Sequence, residues 1–387
     1  MTACTEGGPD GSPELYTSSG DIKFRIEAIP GSEQVSKKRA GRFDLPRDPK
    51  NNAIIGDSRN DENVVISQFH LAMLRFHNAV VDQLRSDPAQ ANRSARDIFE
   101  EARRQVQWHY QWIILNEYLP LTIGQDRVDE ILQNGPRFYR IQDPLFHNSR
   151  GDLLIPVEFA VAAYRFGHSQ VRPTYQLNFE PDAGPPVVLS IFDDSADPND
   201  PDPNDMRGGK RAPRRFIDWQ TFFKFNPDIS ALNKKIDTKL SSPLMLLPGS
   251  RGPAPGLPAD GIQSLASRNL MRHVNFGVPS GQAIAKVMGI PVLTPGQLAE
   301  LAPFGMDRST PLWYYILKEA EVLENGLHLG PVGSRIVGEV FIGVLKADKD
   351  SYLVVDKNWK PTLPSAKVGD FEITDLLTFA GVVHPLN

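Results

Sequence analysis

The chain has 387 residues, of which 40% are hydrophobic and 23% charged, and this balance excludes wholesale disorder. A formal net charge of -5 and a pI of about 5.9 argue against a nucleic-acid-binding protein, because such proteins neutralise phosphates with clustered Lys and Arg. The single cysteine, Cys4, excludes an intramolecular disulfide framework and any Cys-rich metal site.

The beginning of the chain divides into an arm and the start of a helical domain. Residues 1–55 alternate Gly, Pro and charged residues without a period and predict an extended N-terminal arm, which a helical domain over 56–387 follows. After Ser58, apolar residues recur at helical spacing, and Ser58 with Asp61 resembles a capping box. The pattern predicts a long helix that begins near Arg59.

Two more helices are predicted before the middle of the chain. One runs from about Asn92 to Glu117 and ends before Leu119-Pro120, because proline interrupts a helix. The other begins at Pro156, a residue suited to the first helical turn, and ends at His168. Further helices are expected around 217–225, 281–288, 311–325 and 334–345. We therefore predict a mainly α fold of many helices with long loops and little β structure.

Residues 193–205 form an acidic stretch rich in Pro and Asn, which we interpret as a solvated loop. Its spaced aspartates suggest an EF-hand at first sight. That interpretation fails because Asp205 stands where the calcium loop needs Gly and Arg211 stands where it needs a bidentate Glu.

The apolar stretches of the chain are short. The longest, 159–163 and 340–345, fall far short of the roughly 18 consecutive apolar residues that a membrane-spanning helix needs. The N-terminus has neither a basic start nor an apolar core, so it does not resemble a secretory signal. We expect a soluble protein, cytoplasmic unless a signal lies upstream of Met1.

Among the eight histidines, His168 has an unusual setting, because it closes an apolar helix with Arg165 three residues before it. Side chains three residues apart on a helix point the same way. Such a pair suits a flat anionic cofactor, with the imidazole ligating a metal and the guanidinium reaching a carboxylate. From composition alone, a core histidine bonded to a backbone carbonyl is the simpler interpretation.

Arg59 and Glu62 share one face of the first turn of the predicted helix. Taken by themselves, they indicate a helix cap with a weak, exposed ion pair. The functional alternative is a cation that polarises a bound group in a dry pocket beside a carboxylate, where the interaction is far stronger than at a surface.

Five motifs follow one another along the chain. They are Gly56-Asp57-Ser58-Arg59-Asn60-Asp61-Glu62, His70–Asn78, Asn116–Leu121, Tyr164-Arg165-Phe166-Gly167-His168, and Arg268–Arg272 with Phe276–Pro279. In this order they resemble the animal haem peroxidase family of the peroxidase–cyclooxygenase superfamily, and specifically a bacterial-like member. The resemblance covers roughly residues 56–345 and reverses the simpler interpretation of His168.

The resemblance implies a helical fold that holds haem b between helices, with His168 as the proximal ligand of the iron. Asn269 matches the asparagine that hydrogen-bonds the other ring nitrogen of that histidine, a contact that fixes its tautomer. Arg165 and Arg272 match basic residues near the haem propionates. These four residues are therefore the implied cofactor-binding set on the proximal side.

On the other side of the haem, the resemblance gives Arg59 the catalytic role of the distal arginine. Such an arginine stabilises the negative charge that develops as the peroxide O–O bond breaks. Glu62 matches the carboxylate that forms an ester to a haem methyl in mammalian members. His70 and His77 match helix positions that are structural in the family.

The sequence also departs from the family pattern. Asn63 stands where one mammalian member has a methionine bonded to the haem vinyl, so that linkage is impossible here. Family members carry a distal histidine and a calcium loop upstream of the arginine motif, whereas no histidine precedes His70. We expect the distal histidine segment and the calcium site to be absent, with Met1 aligned just after the missing calcium loop.

The leading interpretation is a haem-dependent peroxidase that reduces hydrogen peroxide and oxidises a small organic donor, as in a response to oxidative stress. We expect little turnover without the distal histidine, because the guanidinium of Arg59 stays protonated and cannot accept a proton. His70 and His77 lie three and five turns along the predicted helix of Arg59, about 16 and 27 Å from it, so we expect that neither can replace the missing base.

Two alternatives stay open. One is a fatty-acid dioxygenase, whose radical tyrosine lies three residues before the proximal histidine. Arg165 has that place here, and Tyr164, one residue further back, would point about 100° away on an α-helix. The other alternative is a non-catalytic haem-binding partial chain.

Overall fold

The structure is a computed structural model of the chain. It describes residues 8–18, 21–35, 42–179, 186–193, 197, 199–209, 212–225, 233–248 and 262–383. Cys4, Arg211 and part of the predicted acidic loop (194–196 and 198) lie outside the described residues, and the argument against an EF-hand stays a prediction.

The chain forms two compact units. Unit 1 comprises Met1–Tyr110, Thr174–Leu232 and Lys360–Asn387, and unit 2 comprises Gln111–Pro173 and Asn233–Trp359. The described residues of the predicted N-terminal arm belong to unit 1, and the arm–domain boundary at residue 55 stays a prediction.

The fold is mainly α, as predicted. In the described residues the α-helices are α1 (Gly8–Gly11), α2 (Ser32–Val35), α3 (Val64–Ser86), α4 (Ala95–Ile113), α5 (Leu119–Ile123), α6 (Gln125–Asn134), α7 (Leu265–Asn275), α8 (Gly281–Met288), α9 (Leu312–Leu323), α10 (Pro331–Ala347), α11 (Tyr352–Val355) and α12 (Ile373–Phe379). Two short antiparallel pairs supply the strands β1 (Glu27–Ala28) with β2 (Phe43–Asp44), and β3 (Thr174–Gln176) with β4 (Val188–Ser190). No helix of the described ranges combines the length and apolarity needed to cross a membrane.

In unit 1, α3 is the central helix, and it begins later than the sequence suggested. Asn63 caps it by accepting a hydrogen bond from the Val65 N–H at 2.9 Å, so the predicted start near Arg59 is wrong by one turn. Residues before it pack on its buried face. The side chain of Asn78 bonds both the N–H and the C=O of Phe24, at 2.7 and 2.8 Å, and thereby ties the N-terminal segment to α3.

The helix predicted from Asn92 to Glu117 does not end before Leu119-Pro120. A wider π turn over Ile114–Tyr118 joins α4 to α5, and Pro120 occupies the first turn of α5, where a missing N–H costs little. The helical run ends at Gly124, whose φ of 84° is accessible to glycine at little cost. The sequence pattern was therefore right about the helix and wrong about its end.

In unit 2, α10 is buried along most of its length, and glycine is needed where it crosses α5 and α6. A Cβ at Gly338 would lie 2.7 Å from a side-chain carbon of Ile123 and 2.7 Å from one of Ile131. The predicted helices at 281–288, 311–325 and 334–345 are confirmed as α8, α9 and α10.

The helix predicted around 217–225 is wrong, because only a single turn forms at Trp219–Thr221. The residue before it is engaged elsewhere in unit 1. Asp218 accepts hydrogen bonds from Arg42 at 3.1 Å and from the Phe179 N–H at 3.0 Å, which holds the chain in an extended conformation there.

Candidate functional site

His168 and Asn269 lie side by side in unit 2, with Asn269 Nδ2 2.8 Å from His168 Nδ1. Asn269 is 1% exposed, and its Oδ1 is buried without a hydrogen-bond partner among the described residues. The oxygen and nitrogen ends of a side-chain amide have nearly the same shape. Turning the Asn269 amide by 180° places Oδ1 beside His168 Nδ1, where it accepts a hydrogen bond from Nδ1–H. That tautomer leaves the lone pair of Nε2 free to ligate a metal.

The segment that carries His168 is helical but not α-helical. A π turn over Glu158–Ala162 is followed by a 3₁₀-helix over Ala163–Gln170, where the sequence predicted one α-helix. In a 3₁₀-helix, residues three apart eclipse each other. Arg165 and His168 therefore project in the same direction, as expected from the sequence, although for a different geometric reason.

The charges of two guanidinium groups act on the imidazole. Burial, assisted by the charges of Arg165 and Arg272, lowers the pKa of His168 from 6.5 to about 4. The ring is thus neutral near pH 7, the form that binds metals. Asn269 and Arg272 stand three residues apart on α7, which is why one helix supplies both contacts.

The two arginines have no carboxylate partner among the described residues. Burial and the charge of Arg272 lower the pKa of Arg165, and Arg165 Nε is buried without a hydrogen bond. Like charges brought together without a counter-ion are costly unless an anion neutralises them. Haem fits this site: a neutral imidazole faces it with a free nitrogen, and the guanidinium pair matches two propionates.

Arg59 belongs to unit 1 and lies in a 3₁₀ turn over Ser58–Asp61. Its side chain is 78% exposed and pairs with Asp57 at 2.5 Å. Arg59 thereby lowers the pKa of Asp57 to about 2. Glu62 follows this turn directly and is near enough to help raise the pKa of Arg59, so the two groups are close but the carboxylate bonded to Arg59 is Asp57.

A buried cation holds this turn in place. Arg47 donates to both oxygens of Asp61, at 2.7 and 2.9 Å, and to Asp44 at 2.8 Å. Its side chain is 3% exposed, so the bridge is almost dry. The conformation of the Arg59 turn therefore depends on Arg47.

The turn also lies against His70, which corrects an expectation from the sequence. Asn60 Nδ2 is 3.3 Å from His70 Nδ1, and the charge of Asp57 acts on the His70 ring. The expected separation of about 16 Å assumed that Arg59 and His70 share one helix. Because α3 begins at Val64, the preceding turn folds back beside the histidine.

The structure brings together Arg165, His168, Asn269 and Arg272, all of which lie in unit 2. Arg59 and Glu62 lie in unit 1, and their position over the same haem stays a prediction.

Sequence reasoning missed one contact near the site. The hydroxyl of Tyr118 donates to that of Tyr164 at 3.3 Å, and the Tyr164 ring stacks on Phe159 with centroids 4.7 Å apart. Tyr118 and Tyr164 are 46 residues apart. No local pattern in a single sequence signals such a pair.

Comparison with known proteins gives a consistent result. A family model described as animal haem peroxidase matches residues 17–192, a range that contains Arg59, Glu62, Arg165 and His168. Similar proteins include a peroxidase-like protein of Margaritifera margaritifera, 32% identical over 40% of this chain and 18% of its own length. The chorion peroxidase of Drosophila melanogaster is 26% identical over 87% of this chain and 39% of its own length.

Solved structures show the same fold at lower identity. Peroxidase A from Dictyostelium discoideum superposes with a TM-score of 0.60 at 19% identity, over 94% of this chain and 65% of that one. An Oryza sativa fatty acid alpha-dioxygenase, solved with palmitic acid, gives 0.50 at 14% identity, over 79% of this chain and 53% of that one. The chain thus spans well under half the length of the sequence relatives it matches.

Proposed function

The chain belongs to the animal haem peroxidase family of the peroxidase–cyclooxygenase superfamily, and we propose that it binds haem b through His168 and uses it to reduce hydrogen peroxide while oxidising a small organic donor. The observation that carries the proposal is the half-buried His168 bonded to the buried Asn269, with the charges of Arg165 and Arg272 acting on the ring and no acidic partner for either arginine among the described residues. Bound haem would supply the redox chemistry at its iron.

Each residue of the site has a separate task in this proposal. Asn269 accepts the hydrogen bond from Nδ1–H and so holds the ring with Nε2 facing the iron. Arg165 and Arg272 bind the propionates and orient the macrocycle. Arg59 would supply positive charge to a bound peroxide, and Glu62 would contact the edge of the haem, if the two units place them over it as the family resemblance implies.

The ligand assignment is tested by reconstituting the chain with haemin and recording its Soret and magnetic circular dichroism spectra. We expect the parent to show a histidine-ligated iron and His168→Ala to lose that signature. His273→Ala is the control, because His273 lies on the same helix α7 as Asn269 and its Nδ1 is buried without a partner among the described residues. A histidine signature that survives in His168→Ala, or disappears in His273→Ala, contradicts the assignment.

The reaction is tested by the peroxide-dependent oxidation of a phenolic donor, compared with free haemin. Arg59→Ala should slow the reaction with peroxide while haem affinity stays nearly unchanged. We expect weak turnover, since Arg59 cannot accept a proton. A rate many orders of magnitude above that of haemin would show that another group accepts it, and His70→Gln would then test the imidazole beside the Arg59 turn.

A second candidate, a fatty-acid dioxygenase, is favoured by the Tyr118–Tyr164 hydrogen bond. Tyr164 is 41% exposed and lies four residues before His168. At three residues per turn it points about 120° away from the direction that Arg165 and His168 share, so this candidate rests on the hydrogen bond to Tyr118. Peroxide treatment followed by electron paramagnetic resonance, together with oxygen uptake on palmitate, tests this candidate. A tyrosyl radical that is lost in Tyr164→Phe, with palmitate-dependent oxygen uptake, would favour it over the peroxidase.

A further inference from the structure

Unit 2 contains a cavity whose lining residues are distinct from those of the His168 site. A cavity of about 380 Å³ lies between α8, α10 and the segments around 138–146 and 156–158. Its walls are mostly apolar, with Phe138, Ile284 and Ile336 among the lining residues. This volume is within the range of small-molecule pockets, which are typically about 300 to 1,000 Å³.

Two of the charged groups that line the cavity are already engaged. Glu339 Oε2 accepts hydrogen bonds from the backbone N–H groups of Phe138 and Tyr139, at 2.7 and 2.9 Å. Arg335 lies 2.6 Å from Glu130 and 3.5 Å from Glu339. Arg335 is thus paired with two carboxylates, and the lining offers no unpaired cation to an anionic ligand.

The third charged lining residue, Glu158, is unengaged. It is half-buried, and it forms no ion pair or side-chain hydrogen bond within the part of the chain that the structure describes. A carboxylate left unpaired beside an apolar wall lacks part of the hydration that it has in the unfolded chain. A ligand cation would restore that stabilisation through a charge-assisted hydrogen bond.

From these observations we propose that the cavity binds a small arylalkylamine, with the ring against the apolar wall and the ammonium on Glu158. Arg335 cannot select a carboxylate, because Glu130 and Glu339 already surround it. Anionic analogues are repelled by the excess of carboxylates. This proposal does not depend on the proposed haem chemistry, because it uses none of the residues of the His168 site.

The test is isothermal titration calorimetry of the purified chain with three probes of one aromatic body: 2-phenylethylamine, 2-phenylethanol and 3-phenylpropionate. We expect the amine to bind most tightly, the alcohol more weakly and the carboxylate least. Glu158→Gln keeps the shape of the side chain and should weaken the amine about tenfold or more while changing the alcohol little, since a hydrogen bond to a charged group contributes about 1.5 to 3 kcal/mol.

Three further variants make the result specific. Ala283→Trp fills the cavity from an exposed position of its lining and should abolish binding of the amine and the alcohol. Asp126→Asn removes an equal charge from the exposed first turn of α6 and should change nothing. His168→Ala should keep amine binding, which separates this site from the haem site. Equal affinity for all three probes, no binding of any, or unchanged amine binding in Glu158→Gln overturns the proposal.

Discussion

Glu319 predicts a strong dependence of stability on pH. This residue of α9 is fully buried, and its Oε2 accepts hydrogen bonds from the N–H groups of Val332 and Gly333 in the first turn of α10, at 2.9 and 3.3 Å. Its Oε1 is buried with no partner in the described chain. Burial outweighs the two backbone bonds and raises the pKa of Glu319 from 4.5 to about 7.

The sign and size follow from that shift. Because the folded pKa is the higher one, the folded protein binds more protons than the unfolded chain between about pH 4.5 and 7. Its free energy of unfolding therefore falls as the pH rises through this window, at up to about 1.4 kcal/mol per pH unit and by about 3 kcal/mol in total. Glu319→Gln keeps an oxygen for the two N–H groups and carries no charge, so it should lose this dependence.

The assay is urea unfolding at pH 5, 6, 7 and 8 at constant ionic strength. Subtracting the parent from Glu319→Gln cancels the other titrating groups, and the difference should grow in favour of the variant by about 2.5 kcal/mol between pH 5 and 8. Glu321→Gln on the same helix is the control, since Glu321 is 33% exposed. A difference that is constant from pH 5 to 8 would refute the reasoning about Glu319.

Three further predictions concern the buried residues Arg47, Gly338 and His77, with Arg47→Lys and Gly167→Ala as comparison variants. Arg47→Met removes the buried cation that bonds Asp44 and Asp61 and should lower the free energy of unfolding by about 3 to 5 kcal/mol, measured by urea unfolding, with Arg47→Lys recovering part of it. Gly338→Ala should cost about 1 to 3 kcal/mol in the same assay, because its Cβ would meet two side chains at 2.7 Å. Gly167→Ala, with nothing within 4 Å, should stay within about 0.5 kcal/mol. Burial lowers the pKa of His77 from 6.5 to about 4, so the free energy of unfolding of the parent falls as the pH falls through this window. In His77→Gln, urea unfolding should show a smaller fall over the same pH range.

The sequence by itself determined the class of fold and predicted the contact between His168 and Asn269. Amphipathic periodicity located α8, α9 and α10 to within a few residues, because that pattern reflects which face each helix buries. The motif around His168 and the downstream Asn269 predicted a pair that the structure places 2.8 Å apart. Such residues can be identified because their chemistry restricts which side chains can serve.

Only the tertiary structure decided the backbone geometry around these residues. Whether Arg59 starts a helix or precedes it depends on which side chain caps α3, and the cap is Asn63 rather than Ser58. Whether Pro120 ends a helix depends on a π turn that a single sequence does not signal.

The same limit applies to contacts between distant residues. The hydrogen bond between Tyr118 and Tyr164 and the ion pair between Arg47 and Asp61 each join segments that no local period connects. The cavity beside Glu158 is likewise lined by segments that are distant in the sequence. Local patterns report the burial and conformation of neighbouring residues in the chain. Pairings across the fold depend instead on how whole helices pack, and that packing was decided by shape complementarity among many side chains.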